Sequence, residues 1–154
     1  MTPIANVAPV VLNLSPEAFH LYACHHLKCK VDFKLPHFSP LPYYLLCRAI
    51  ELELKSRHLV TKSQSQVKQD YGHDLKMAYA DLETVQPILT LPEEQILKKA
   101  SEIYSAKDFE YFVPADALTG NNRYPDINLL ESITKKLIET SQFHTSTFKT
   151  EFSI

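Results

Sequence analysis

The stretch that decides the fold is residues 41–59, LPYYLLCRAIELELKSRHL. Its apolar residues recur at helical spacing and form two stripes rather than one. The first stripe consists of Tyr43, Leu46, Cys47, Ile50 and Leu54, and the second consists of Leu45, Ala49, Leu52 and Leu59. Because a surface helix needs only one apolar stripe, the two stripes predict a central helix that packs on more than one side.

Four further helices are predicted around this central one. The first opens with Ser15-Pro16-Glu17, which supplies an N-cap, a proline at the first helical position and an acid in the first turn. Its apolar spacing directs Phe19, Tyr22, Ala23, His26 and Leu27 inward. The other three start at Gly72, at the capping-box sequence Thr90-Leu91-Pro92-Glu93 and at Asp126. The helices that begin at Ser15, Gly72 and Asp126 are predicted to end near Lys30, Leu82 and Thr140. The helix that begins at Thr90 carries apolar residues inward as far as Tyr104.

The segments between and around these helices are predicted to be irregular. Residues 60–71, VTKSQSQVKQDY, are polar and indicate a loop with some helix toward its end. Residues 1–13 indicate a short extended arm, and the Ser/Thr-rich residues 141–154 a loose tail. The length of 154 residues fits a single domain. The prediction is therefore an all-α fold, a compact bundle of about five helices over residues 15–140.

Composition excludes several classes of protein. The chain has 16 basic and 18 acidic residues, a net charge of −2, so extended binding to duplex DNA is not expected. No apolar run reaches the roughly 18 to 20 residues that cross a bilayer. Three cysteines do not indicate a secreted disulfide framework, and residues 1–13 carry no Lys or Arg. These features favour a cytoplasmic protein. Only two glycines are present, so phosphate-binding glycine loops are absent and no cofactor is predicted.

The first candidate site combines Glu51 and Lys55 of the central helix with His73 and Asp74. Glu51 and Lys55 stand four residues apart with the acid first, the favourable order for a helical ion pair. A pair on a central helix is at least half buried and needs partners, and His73 is a candidate partner. Such a cluster of titratable groups is either a site or a polar network that fixes the packing of the helices.

A second candidate lies on the first helix, which carries His20, Cys24, His25, His26 and Cys29. His20 and Cys24 share one helical face, and His25 and Cys29 share another. A zinc site needs four ligands, or three and a water, and no Cys-x-x-Cys or His-x-x-x-His elsewhere completes either pair. Cys47 and His37 are the remaining candidates for a further ligand. The sequence therefore predicts no metal site and a half-buried helix with surface histidines.

A third candidate is Arg123-Tyr124-Pro125, which follows the Gly120-Asn121-Asn122 loop. Arginine and tyrosine together are able to clamp a phosphate or stack on a base. The alternative is that Arg123 anchors the loop to an acidic partner. Catalysis by a cysteine is disfavoured, because Cys47 lies on the buried stripe and no base is marked beside any cysteine.

The central-helix sequence Ala49-Ile50-Glu51-Leu52-Glu53-Leu54-Lys55, a polar loop and then Gly72-His73-Asp74-Leu75 resemble a branch of the HEPN-like helical domains. The Arg123-Tyr124-Pro125 segment also fits that branch. The resemblance covers about residues 40–140. It implies a compact helical bundle, often dimeric, of a kind common in prokaryotic defence and toxin–antitoxin systems.

Nuclease members of that family carry Arg-x(4–6)-His, whose two side chains act on the RNA phosphodiester. In this chain His58 lies ten positions after Arg48 and one after Arg57, and His73 lies sixteen after Arg57. His144 lies twenty-one positions after Arg123. None fits the motif, so the resemblance implies a non-catalytic binding module. Its expected form is a homodimer, and its partner a nucleotide, an RNA or a protein. The alternatives are a divergent ribonuclease that uses His73 with Glu51 and Lys55, and a structural subunit of a larger assembly.

Overall fold

The computed structural model describes residues 14–144, so the predicted arm at 1–13 and most of the predicted tail lie outside it. Within this range the chain is all-α, as predicted, and has no β-strand. The helices are α1 (Pro16–Asp32), α2 (Leu41–His58), α3 (Gln64–Tyr71), α4 (Leu75–Ala80), α5 (Leu91–Ser105), α6 (Pro114–Leu118) and α7 (Ile127–Glu139). None of these helices is long and apolar enough to span a bilayer.

Helix α2 is the central element, as its two stripes predict. It packs against α1, α4, α5 and α7. Every residue of the first stripe is buried, and so are Ala49 and Leu52 of the second. Burial continues to the polar side chains of Glu51, Glu53 and Ser56, because a helix packed on several sides leaves little solvent-facing surface.

The predicted starts of α1, α5 and α7 are confirmed by their caps. Ser15 accepts a hydrogen bond from Ala18 N at 3.2 Å, and Pro16 is the first residue of α1. Thr90 and Glu93 form the reciprocal capping box of α5. Asp126 accepts from the backbone amides of Asn128 and Leu129 and begins α7. These signals lie within four residues of one another and therefore act without the rest of the fold.

Residues 60–71 contain a helix where the sequence predicted mainly a loop. Ser63 accepts a hydrogen bond from Gln66 N and starts α3. Val67 and Tyr71 are buried one turn apart, and they attach this otherwise polar helix to the core. Tertiary packing of these two side chains thus stabilises a helix for which the local sequence has only a weak preference.

The helix predicted for 72–82 is shorter than expected. Gly72 has a φ of +52° and ends α3, so it cannot belong to the next helix. Asp74 accepts from Met77 N at 3.0 Å and is the N-cap of a helix that starts only at Leu75. Met77 is 49% exposed rather than part of the core. A further difference is α6, a five-residue helix just before the Gly120-Asn121-Asn122 loop that the sequence did not predict.

Helix α1 also faces the core differently from the prediction. Phe19, Ala23 and Leu27 are buried as expected, whereas Tyr22 is 40% exposed. His20 and Cys24 take the inward position instead, with exposed fractions of 0% and 1%. The expectation of surface histidines is therefore wrong for His20, which has a buried acidic partner on α2.

Candidate functional site

A pocket of about 340 Å³ opens between α1, α2, α3 and the turn that follows α3. We call it the α2–α3 pocket. Its apolar wall is formed by Phe19, Leu52, Leu59 and Val67. Its polar wall is formed by Arg48, Glu51, Lys55, Gln64, Lys68 and His73. Three residues that the sequence singled out, Glu51, Lys55 and His73, thus share one pocket.

Glu51 is the centre of the polar wall, with an exposed fraction of 2%. Lys55 Nζ lies 2.6 Å from its Oε1, and Arg48 Nη1 lies 3.0 Å from the same oxygen. The hydroxyl of Tyr104, which arrives on α5, donates to Oε2. The buried carboxylate therefore has the hydrogen-bonded and charged partners that its burial demands.

These partners keep Glu51 ionised. Burial alone would raise the pKa of its carboxyl group, but hydrogen bonds from Lys55 and Tyr104 and the charges of Lys55 and Arg48 outweigh burial and lower that pKa below its ordinary value. Burial and the Glu51 charge raise the pKa of the Tyr104 hydroxyl, which stays a hydrogen-bond donor. Glu51 is thus a fixed negative charge that orients the cations around it, and it is unsuited to carry a proton near neutrality.

His73, in the turn that follows α3, contacts the same carboxylate. Its Nδ1 lies 3.2 Å from both oxygens of Glu51, and its side chain is 51% exposed. A ring nitrogen that faces a carboxylate carries the proton, so Nδ1 is the donor. In the neutral imidazole the lone pair is consequently on Nε2, the other ring nitrogen.

The pocket carries a net positive charge, since Arg48, Lys55 and Lys68 line it with one carboxylate. Lys68 is exposed, and no residue in the described range forms an ion pair with it. The side-chain oxygen of Gln64 is buried and accepts no hydrogen bond from that range. The wall therefore offers positive charge to an anion and an acceptor to a hydroxyl or amino group.

Arg48 and His73 meet at Glu51 although their spacing does not match the nuclease motif. Both contact Oε1 of this residue, Arg48 from the preceding turn of α2 and His73 from 22 positions along the chain. Spacings between Arg and His along the chain did not place Arg48 in the site. Its position three residues before Glu51 on one helix was the signal that could have done so.

The structure does not bring the remaining predicted site residues to this pocket. Asp74 caps α4, as described above. Arg123 Nε and Nη2 donate to the two carboxylate oxygens of Asp116 at 2.5 and 2.7 Å, and Nη2 also lies 2.8 Å from Asp108. Tyr124 packs edge-on against Tyr43. This geometry is that of an arginine anchoring the loop before α7.

The candidate ligands on α1 divide into two groups. His25 and Cys29 are exposed, and His26 contacts the backbone oxygen of Tyr22 at 2.8 Å. His20 and Cys24 are buried together, with Nε2 and Sγ 3.7 Å apart. Cys47 is also fully buried on α2, where burial and then the Glu51 charge raise the pKa of its thiol and keep it protonated.

A larger pocket, of about 560 Å³, lies near the C-terminal end of α2, but its cationic side chains have internal partners. Arg57 Nη2 donates to the backbone oxygen of Leu137 at 2.7 Å, and Lys62 Nζ donates to Asp70 and to the Tyr71 hydroxyl. His58 Nε2 lies 2.7 Å from the backbone oxygen of Ala78. These contacts hold α3, α4 and α7 on α2. We therefore assign the cationic side chains of this pocket to structural roles rather than to ligand binding.

No protein-family model, curated protein or solved structure matches this chain.

Proposed function

We propose that this chain is a non-catalytic HEPN-like binding module that holds the phosphate group of a nucleotide or of an RNA end in the α2–α3 pocket. The observation that carries this proposal is the charge of the polar wall, where three cationic side chains line the pocket with one buried carboxylate. Two of the three, Arg48 and Lys55, contact that carboxylate. A phosphate brought beside Arg48 and Lys68 would be a second acceptor for Arg48, which Glu51 already orients, and would give the exposed Lys68 an anionic partner.

The other wall of the pocket suits the rest of a nucleotide. Phe19, Leu52 and Val67 offer apolar surface to a base or a ribose ring, and the unbonded oxygen of Gln64 offers an acceptor to a hydroxyl or amino group. The volume of about 340 Å³ lies at the lower end of ordinary small-molecule sites. A mononucleotide or a terminal nucleotide fits this size better than a duplex.

Isothermal titration with AMP, adenosine and a short RNA in 5′-phosphorylated and 5′-hydroxyl forms tests the proposal. AMP or the phosphorylated RNA is expected to bind and the phosphate-free partner to bind more weakly. Lys68→Ala should weaken phosphate binding roughly tenfold, since a hydrogen bond to a charged group contributes about 1.5 kcal/mol or more.

Lys98→Ala is the matched control, because Lys98 is an exposed lysine on α5 outside the pocket. It should leave affinity unchanged. Equal binding of AMP and adenosine, or equal losses in the two lysine variants, would contradict the proposal.

The second candidate is a divergent ribonuclease, favoured by the convergence of Arg48 and His73 on Glu51. In this reaction the RNA 2′-oxygen attacks the adjacent phosphorus, its proton passes to Nε2 of His73, and the bond to the 5′-oxygen breaks with a proton supplied by water. Lys55 and Arg48 would stabilise the charge that develops on the phosphate. Glu51 would hold the imidazole in the required tautomer.

His73→Ala separates the two candidates. Steady RNA cleavage by the pure protein that this change abolishes, with the melting temperature unchanged, favours the ribonuclease. A fall in the melting temperature of several degrees shows instead that His73 belongs to a structural network. The binding module predicts no turnover in either protein.

The homodimer remains part of the proposal and has its own test. Tyr111, Phe112 and Leu118 expose 67%, 81% and 88% of their surface between α5 and α7, and large exposed apolar side chains favour association. Sedimentation velocity should give twice the chain mass, with dissociation in Phe112→Ser. A monomer at high concentration would remove the dimer while leaving the pocket proposal intact. If another protein buries these side chains instead, the chain would be a structural subunit of a larger assembly.

A further inference from the structure

A second cluster, separate from the α2–α3 pocket, joins α1 to the segment that follows α7. His20 and Cys24 stand one turn apart on α1, and His144 arrives from 124 positions along the chain. His20 and Cys24 are buried, and His144 is partly buried. One ligand atom from each of the three side chains, two imidazole nitrogens and a sulfur, lies within 4.8 Å of the other two.

Two separations in this cluster match the edges of a tetrahedral zinc site. With Zn–N near 2.05 Å and Zn–S near 2.3 Å, the edges are about 3.3 Å between two nitrogens and about 3.6 Å between nitrogen and sulfur. His20 Nε2 lies 3.3 Å from His144 Nδ1 and 3.7 Å from Cys24 Sγ. The side chains already stand at the spacing that a shared cation requires.

Glu53 completes the arrangement from α2. Its Oε2 lies 2.6 Å from His20 Nδ1, and both side chains have an exposed fraction of 0%. The carboxylate places the imidazole proton on Nδ1 and directs the Nε2 lone pair toward Cys24 and His144, which is the carboxylate–histidine pairing found behind many metal ligands. Arg57 Nε, 3.7 Å from Oε1, supports the charge of Glu53.

We propose that His20, Cys24 and His144 bind a divalent zinc ion, with Glu53 as the outer partner of His20. Two imidazoles and a thiolate are a donor set that zinc favours, and three protein ligands leave the fourth position to water or another ligand. Bound zinc would fasten the segment after α7 to α1. Gln142 and Phe143 of that segment line the larger pocket, so the ion would also fix one of its walls.

Metal analysis of the purified full chain tests this site. The protein is stripped with EDTA, dialysed, and titrated with Zn²⁺ against a chromophoric chelator. One equivalent per chain is expected, and Co²⁺ should give the absorption of a tetrahedral site with a thiolate-to-metal charge-transfer band.

Glu53→Gln removes the outer partner of His20 and should lower zinc affinity roughly 10- to 100-fold. His144→Ala and Cys24→Ser each remove a direct ligand and should lower zinc affinity by more than that. Cys29→Ser is the matched control, because Cys29 is an exposed cysteine on the same helix outside the cluster. It should keep the metal and the cobalt spectrum.

His144 lies outside the helices, after α7, so His144→Ala tests the site even if Cys24→Ser fails to fold. Circular dichroism of the stripped proteins establishes that each variant is helical. Absence of zinc binding by the native protein, or unchanged affinity in a folded Cys24→Ser or His144→Ala variant, would overturn the proposal.

Discussion

The Nδ1 atom of His73 lies 3.2 Å from both carboxylate oxygens of Glu51, although 22 positions separate the two residues in the chain. One partner is almost fully buried and the other is half exposed. The pair thus connects the interior of the helical bundle to the open side of the α2–α3 pocket. It gives an exposed imidazole a fixed orientation, which is useful to a binding site and to a catalyst alike.

Replacing Glu51 with glutamine should destabilise the protein at neutral pH. The change removes the charge that Arg48 and Lys55 surround, and the loss expected for a buried partner is roughly 1 to 3 kcal/mol in the free energy of unfolding. Urea titration at pH 7 measures it. Glu102→Gln, an exposed glutamate on α5, is the control and should change little.

The same variant should differ from the native protein less as the solution becomes acidic. The pKa of Glu51 is lower in the folded chain than its ordinary value of 4.5, so the unfolded chain binds more protons and the contribution of Glu51 is fully present above that value. It is lost as pH falls from about 5 through the folded pKa. A difference in unfolding free energy that stays constant between pH 7 and pH 3 would contradict this assignment.

Glu53→Ala should be among the most destabilising single changes in the chain. It removes the buried carboxylate that contacts His20 and pairs with Arg57, and breaking a buried pair costs about 3 to 5 kcal/mol. The measurement is chemical unfolding in the presence of EDTA, so that metal binding does not contribute. A loss below 1 kcal/mol would mean that the pair contributes little to folding.

Arg123→Ala separates an anchoring role from a ligand-binding role. The side chain forms two hydrogen bonds with Asp116 and one with Asp108, and hydrogen bonding to Asp116 is the largest cause that raises the pKa of its guanidinium. The variant should melt at a lower temperature and bind AMP as the native protein does. Weaker binding with an unchanged melting temperature would restore Arg123 to the candidate site.

The parts of the fold that the sequence predicts correctly depend on signals within a few residues. The two stripes of α2 and the caps at Ser15, Thr90 and Asp126 are such signals. Helix α3 was largely missed because its stability comes from burial of Val67 and Tyr71 by other parts of the chain. The local sequence of α3 is polar and gave little reason to expect packing.

In the candidate site, too, some contacts follow from the sequence and others depend on how the helices pack. Glu51, Lys55 and His73 were predicted together because an acid on a central helix needs partners. Tyr104 could not be paired with Glu51 from sequence, since its contact depends on how α5 packs on α2. Glu53 could have been recognised as buried, because it lies three residues after Ile50 on the same face of α2.

The most direct test of phosphate binding in the α2–α3 pocket is an amide chemical-shift map of the ¹⁵N-labelled protein titrated with AMP and, separately, with adenosine. Phosphate binding in this pocket should give saturable shifts with AMP that cluster at residues 48–55 and 64–73 and are much smaller with adenosine. Shifts centred on the larger pocket beside Arg57 and Lys62, or no saturable shifts with AMP, would contradict a phosphate-binding α2–α3 pocket.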